Sequence, residues 1–140
     1  MLEENKELCR RFIDGFNKGD LNVFDEILSP DFVDLSPAPE IEPTREGWKS
    51  GATMELAAFP DFHLHLKEQI AEGDLVVNQM VATATHRGEF MGIPATGKKV
   101  TGNNVTIFRI TGGKINERLT VFDALGMMMQ IGAIPSPEQS

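Results

Sequence analysis

Asp123, His86 and Arg109 have the types and surroundings that acid/base chemistry on a carbonyl compound calls for. Taking a proton from a carbon beside a carbonyl, and returning one to the oxyanion that forms, are tasks a single carboxyl group can share. Asp123 closes the run INERLTVFD on the strand face of Leu119 and Val121, where apolar neighbours would penalise the charged form. It also directly precedes an apolar helical segment, so a helix N-cap is the competing reading. His86 ends a strand face of Met80, Ala82 and Ala84, small apolar residues that leave room for a ligand whose carbonyl an imidazole can orient or polarise. In that setting a histidine also serves as an ordinary hydrogen-bonded structural residue. Arg109 depends on strand register. If the Thr111-Gly112-Gly113 turn is a three-residue loop with a bulge, Arg109 shares a face with Asp123 and can stabilise an enolate; with a two-residue turn, Asn104, Thr106 and Phe108 share that face instead.

Other stretches suggest chemistry less strongly. GIPATGKK, Gly92–Lys99, nearly spells a phosphate-binding loop, but Pro94 removes a backbone donor, Lys99 stands where Ser or Thr would hold magnesium, and a strand pattern follows instead of a helix. Its bland reading is a strand connection whose Phe90, Met91 and Ile93 cover something apolar. In DFHLH, His63 and His65 share one strand face, a spacing that can hold a metal, yet no third ligand lies nearby in sequence and Lys67 and Gln69 on that face read as solvent-exposed. No metal is expected. Trp48, Met54, Phe59 and Met91 are candidates to line a substrate pocket, and each serves equally as core.

The elements that must position these side chains follow from hydrophobic period. Leu8, Cys9, Phe12, Ile13 and Phe16 recur at helical spacing before Gly19. Asp20 caps a short second helix carrying Leu21, Phe24, Ile27 and Leu28 that Ser29 and Pro30 end. DFVDLSP is a short extended piece leading into a proline-rich loop, and Thr44 caps a third helix to about Ala58 with Trp48, Ala52 and Leu56 on one side. From His63 the period becomes two. EGD at Glu72–Asp74 turns the chain into a strand over 75–87, and a long loop follows to Lys99. Strands over 100–110 and 115–122 meet at TGGK, and an apolar helix over 124–131 leads to a polar tail at 135–140 that reads as loose. Helices followed by a four-stranded antiparallel meander argue an α+β fold, one domain over 1–134, with helices on one face of a curved sheet that encloses a pocket.

The 140 residues fit one core, and a net charge of -8 repels nucleic-acid backbones and anionic lipid. One cysteine, Cys9, suits a reducing compartment, and no apolar run approaches membrane-spanning length. The expectation is a soluble cytoplasmic protein with no nucleic-acid or membrane partner. Apolar residues alternate on both faces of the strands over 75–87 and 100–110, as a homodimer packing through the outer face of its sheet would require.

FPDFHLHLKEQIAEGDLVV, ATHRGEFMGIPATGKKVT and FRITGGKINERLTVFDALGMMMQIGAIP together resemble the SnoaL-like polyketide cyclases, or ester cyclases, of the cone-shaped NTF2-like superfamily, in order over about residues 5–135. THRGEFMGIPATGKKV is the most specific part. The resemblance implies a hydrophobic pocket between sheet and helices, a hydrophobic small-molecule substrate, frequent dimers, no cofactor, and intramolecular aldol ring closure on a polyketide ester, with Asp123 at the position of the acid/base aspartate. The same scaffold carries isomerases, epoxide hydrolases and non-catalytic binding or dimerisation modules, and a module would leave Asp123 as a helix cap alone. Leu35 and Arg109 stand where relatives carry histidine, and Leu119 where tryptophan is common, which implies a reshaped pocket.

Overall fold

A computed structural model describes residues 1–135. Helix α1 (Leu2–Lys18) buries Cys9, Phe12, Ile13 and Phe16 along one stripe. Burial pushes the Cys9 thiol up to about 12, with a hydrogen bond to Asn78 and the charge of Arg10 opposing, so the single cysteine behaves as a small core hydrophobe. Asn17 near the end of α1 forms a two-way clamp on the sheet: its side chain donates to Leu64 O at 2.9 Å and accepts from Leu64 N at 2.8 Å.

Helix α2 is Val23–Ile27 and its N-cap is Asn22. Asp20, expected as that cap, instead accepts from Asn22 N at 3.2 Å and shapes the turn before it. Leu28, expected in the helix, turns extended and opens β1 (Leu28–Asp34). Helix α3 (Arg45–Ala58) starts at Thr44, whose hydroxyl accepts from Gly47 N at 3.1 Å, as its sequence indicates.

The remaining strands are β2 (His63–Glu72), β3 (Leu75–Thr85), β4 (Lys99–Thr111) and β5 (Lys114–Phe122), before helix α4 (Ala124–Gln130). The sheet order is β1-β5-β4-β3-β2. The four-stranded meander is present, and β1 is a fifth strand that pairs parallel to β5, making the sheet mixed where an all-antiparallel one was expected. Pro30 is tolerated because β1 is an edge strand.

The β4–β5 hairpin contains both features that sequence left as alternatives. Gly112 and Gly113, at φ 60° and 73°, form a two-residue turn between Thr111 and Lys114, and a bulge between Arg109 and Ile110 then shifts the register. Arg109 therefore pairs with Glu117, and Asn104 with Phe122. Phe12 stands at the centre of the principal core, its ring 4.7 to 5.0 Å from those of Phe24, Trp48 and Phe108. The result is an α+β cone, with helices on the inner face of a curved five-stranded sheet. No helix among the described residues is long and apolar enough to cross a membrane. From residue 136 onward, the tail expected at 135–140 lies outside the described residues.

Candidate active site

On the inner face of the sheet, Val76, Asn78, Met80, Ala82 and Ala84 of β3 pair with Phe108, Thr106, Asn104, Gly102 and Val100 of β4. Met80 and Phe108 belong to the principal apolar core, whereas Ala84 belongs with Ala58 and Phe59 to a second cluster that Val100, Phe90 and Met127 cover. Between the two clusters β3 and β4 carry small or polar side chains, Ala82, Gly102, Asn104 and Thr106, with Phe122 of β5 opposite Asn104. Helix α3 repeats the pattern. Its inward face presents Trp48 and Ala52 to the first core and leads to Ala58 and Phe59 in the second, with Glu55 between them. The cone thus has an apolar floor, an apolar rim and a waist of small and polar groups.

His86 sits at the rim. It is 0% exposed, and its ring packs against Phe59 with centroids 5.5 Å apart. Nδ1 is 3.0 Å from Thr96 Oγ1, while Nε2, equally buried, has no hydrogen-bond partner among the described residues. The loop holding Thr96 is tied to His86 through the backbone: His86 N donates to Lys98 O at 2.9 Å, and Gly97 N donates to His86 O at 2.8 Å. Its other end is anchored on α3, since Arg87 N and Gly88 N both donate to Ala58 O. Gly88 is required there, because a Cβ would come within 2.8 Å of Ala57 O.

At the waist, polar side chains form a continuous row. Thr106 Oγ1 lies 2.9 Å from both Asn104 Oδ1 and Thr120 Oγ1, Thr120 N donates to Ser36 Oγ, and Asp34 accepts from Ser36 N and from Arg118. Asp34 is buried and Arg118 partly so, which makes their ion pair at 3.1 Å a part-buried one, and the Arg118 guanidinium lies 6.0 Å from the centre of the Trp48 ring. Glu55 is half-buried, and protein crowding its carboxyl raises its pKa by desolvation, with the charge of Arg118 pulling the other way. These groups escaped the sequence reading. The signal for Glu55 was present, as a lone carboxylate on the apolar stripe of Trp48, Ala52 and Phe59. Asp34 and Arg118 are brought together by the parallel β1–β5 pairing, which no local pattern announces.

Other residues singled out from sequence lie as follows. Asp123 is exposed and caps α4, its Oδ1 accepting from Gly126 N at 2.8 Å, so the apolar enclosure expected for it is absent. Arg109 shares the face of Leu119 and Val121, but that face is the outer one, where the guanidinium is held by Glu117 at 2.7 Å and Asp74 at 2.9 Å. It has no place in the cone interior. Asn104 and Thr106 face inward, as does Phe59; Trp48 is core beneath Arg118. Met54 and Met91, 62% and 64% exposed, line nothing enclosed: Met54 lies on the outer side of α3 and Met91 at the tip of the Gly88–Lys98 loop. GIPATGKK runs into β4, not into a helix, and forms no phosphate cradle. The His63 and His65 rings lie side by side at 4.5 Å in an open groove of about 800 Å³ between α1 and β2, lined also by Glu7, Arg10, Asp14 and Lys67. No group of three His, Cys, Asp or Glu able to hold a metal occurs among the described residues. A smaller groove of about 370 Å³ beside Asp61 and Lys99 is also open to solvent.

A family model described as SnoaL-like polyketide cyclase matches residues 6–131. The aklanonic acid methyl ester cyclase DnrD of Streptomyces peucetius is 26% identical over 94% of both chains. Among solved structures, TsrD of Streptomyces laurentii superposes with a TM-score of 0.86 at 28% identity, covering 94% of this chain and 97% of that one. IdmH of Streptomyces antibioticus, described as a candidate polyketide cyclase, superposes with a TM-score of 0.81 at 32% identity over 91% and 98%. With the cone, its inward polar waist and the buried His86 in place, the match over nearly the whole chain identifies an enzyme of the cyclase type: the chain belongs to the SnoaL-like polyketide cyclase family.

Proposed function

We propose that this chain catalyses intramolecular aldol ring closure of a hydrophobic polyketide ester, the class named for its relative DnrD, without a cofactor. The observation that carries the reading is the fully buried His86 imidazole on the inner face of the cone, with Nε2 unpartnered among the described residues. A buried polar atom left unpaired costs stability, and functional sites are where such costs are retained. In this reading the Asp123 carboxylate removes a proton from the carbon alpha to a carbonyl; one oxygen holds the α4 cap and the other is available. The enolate carbon attacks the acceptor carbonyl carbon, a C–C bond forms as the C=O π pair moves onto oxygen, and that oxygen takes back the proton from Asp123. His86 holds the acceptor oxygen throughout. Asn104 and Thr106 contact polar groups of the ester, and Phe59 covers its apolar part. Product and substrate are isomers, so no oxidant or reductant is needed.

The partner of the outer sheet face in this reading is a second copy of the chain, and the single buried thiol suits the reducing cytoplasm.

The test is to incubate the chain with aklanonic acid methyl ester and follow the product by mass and carbonyl count. The reading predicts a product of unchanged mass with one carbonyl fewer. Asp123→Asn keeps a capping oxygen but not the base, and His86→Ala removes the oxygen contact; each is expected to lower turnover on the order of a hundredfold or more. Wild-type rates in Asp123→Asn would remove the acid/base role, and an unchanged ester with the wild type would remove this substrate class.

A further inference from the structure

The hydrogen-bond arithmetic around His86 goes further than its burial. Thr96 Oγ1 meets two groups: His86 Nδ1 at 3.0 Å and the Lys98 backbone N–H at 3.3 Å. A hydroxyl has one proton to give and two lone pairs to receive. The Lys98 N–H can only donate, so it occupies a lone pair of Oγ1. The hydroxyl proton is then free, and Nδ1 is the acceptor within reach. If Nδ1 accepts it, the proton of the neutral ring is on Nε2. In the opposite tautomer Oγ1 would receive two N–H donors, its own proton would go unused, and Nε2 would be a bare lone pair inside the apolar rim formed with Phe59 and Ala84. The first arrangement uses every group on the Thr96 side and leaves a single N–H donor unspent.

We propose that Thr96 is a positioning residue that holds His86 in the neutral Nε2–H tautomer, making Nε2 a preorganised N–H donor for the oxygen on which negative charge develops during ring closure. This rests on the cyclase reading above and deepens it. His86 then stabilises the oxyanion and is not the base, since an Nε2 that already carries a proton cannot take another while Nδ1 is engaged; proton abstraction falls to a carboxylate. The loop geometry explains why the donor stays aimed. Lys98 and Gly97 bind the His86 backbone on either side of the chain reversal, so Thr96 is held opposite Nδ1 by the same segment that closes the rim. A donor fixed in advance needs no reorganisation when charge appears, which is the condition under which such groups contribute most.

The tautomer can be read without any substrate, from long-range proton–nitrogen NMR of the ¹⁵N-histidine-labelled full chain at neutral pH. His86 should show a protonated Nε2 and an unprotonated, hydrogen-bonded Nδ1. Thr96→Ser, which keeps the hydroxyl, should preserve that pattern, and Thr96→Val should lose it. On aklanonic acid methyl ester, Thr96→Val should lower kcat at least roughly tenfold with little change in KM, and Thr96→Ser should restore most of it. A His86 protonated on Nδ1, or a tautomer indifferent to Thr96→Val, would overturn the proposal. Should Thr96→Val fail to fold, the wild-type spectrum still decides. If the wild type leaves the ester unchanged while the spectrum shows the Nε2–H form, the cyclase reading fails and the tautomer assignment stands.

Discussion

Glu55 and Asp123 divide between them the two properties that sequence assigned to one carboxylate. Asp123 has the position implied by the family resemblance but is exposed and capping; Glu55 has the desolvated environment. Because the Glu55 pKa is raised above its ordinary 4.5, the protonated form is favoured in the folded chain. Its contribution to stability is fully present below the unfolded pKa and is lost as pH rises through the folded value. Glutamine cannot ionise, so the melting temperature of Glu55→Gln should gain on the wild type as pH is raised from about 4 to about 8, by a few degrees. A gap that stays constant, or shrinks over that range, would show that water reaches the carboxyl freely. At this scale the inward, buried position of His86 was legible because it ended a face of small apolar residues. The Asp34–Arg118 pair was not, since its members are 84 residues apart and meet only through a parallel strand pairing.

Helices α1 and α3 and the meander were legible because each satisfies a local rule: an amphipathic stripe, a Thr44 cap, period-two alternation. The extended conformation of DFVD was expected, but its place as a fifth strand was not, because its partner β5 lies more than eighty residues on and nothing within DFVDLSP specifies which edge it joins. The hairpin register was open in sequence because a tight glycine turn and a bulge can both be built from the same letters, and here both occur. That register decides the outer surface. It sets Val105 opposite Val121 and Ile107 opposite Leu119 on the face away from the helices, with Val121 65% exposed. This apolar sheet face, bordered by the Arg109 ion pairs, is the surface on which the proposed second copy would pack. Val121→Lys should convert a dimer to a monomer in light scattering without lowering the melting temperature by more than a few degrees at high dilution. A wild type that is monomeric at micromolar concentrations would remove the dimer.

For the molecule as a whole, composition and period sufficed for the α+β cone, while the interior had to be seen to be divided into floor, waist and rim. Charged side chains lie mostly on the exterior of this chain of net charge -8, while the inner face of the sheet is apolar with a short polar row, which supports the proposed hydrophobic ligand bearing a few oxygens. The competing concavity, between α1 and β2, is charged and carries His63 and His65. All three histidines of the chain therefore report on one site or the other. The decisive measurement is a titration of ¹⁵N-histidine-labelled protein with aklanonic acid methyl ester, following the three imidazoles. The account predicts that His86 Nε2 shifts with saturation while His63 and His65 stay put. Movement of His63 and His65 with His86 unchanged would place the ligand in the outer groove and contradict a site inside the cone.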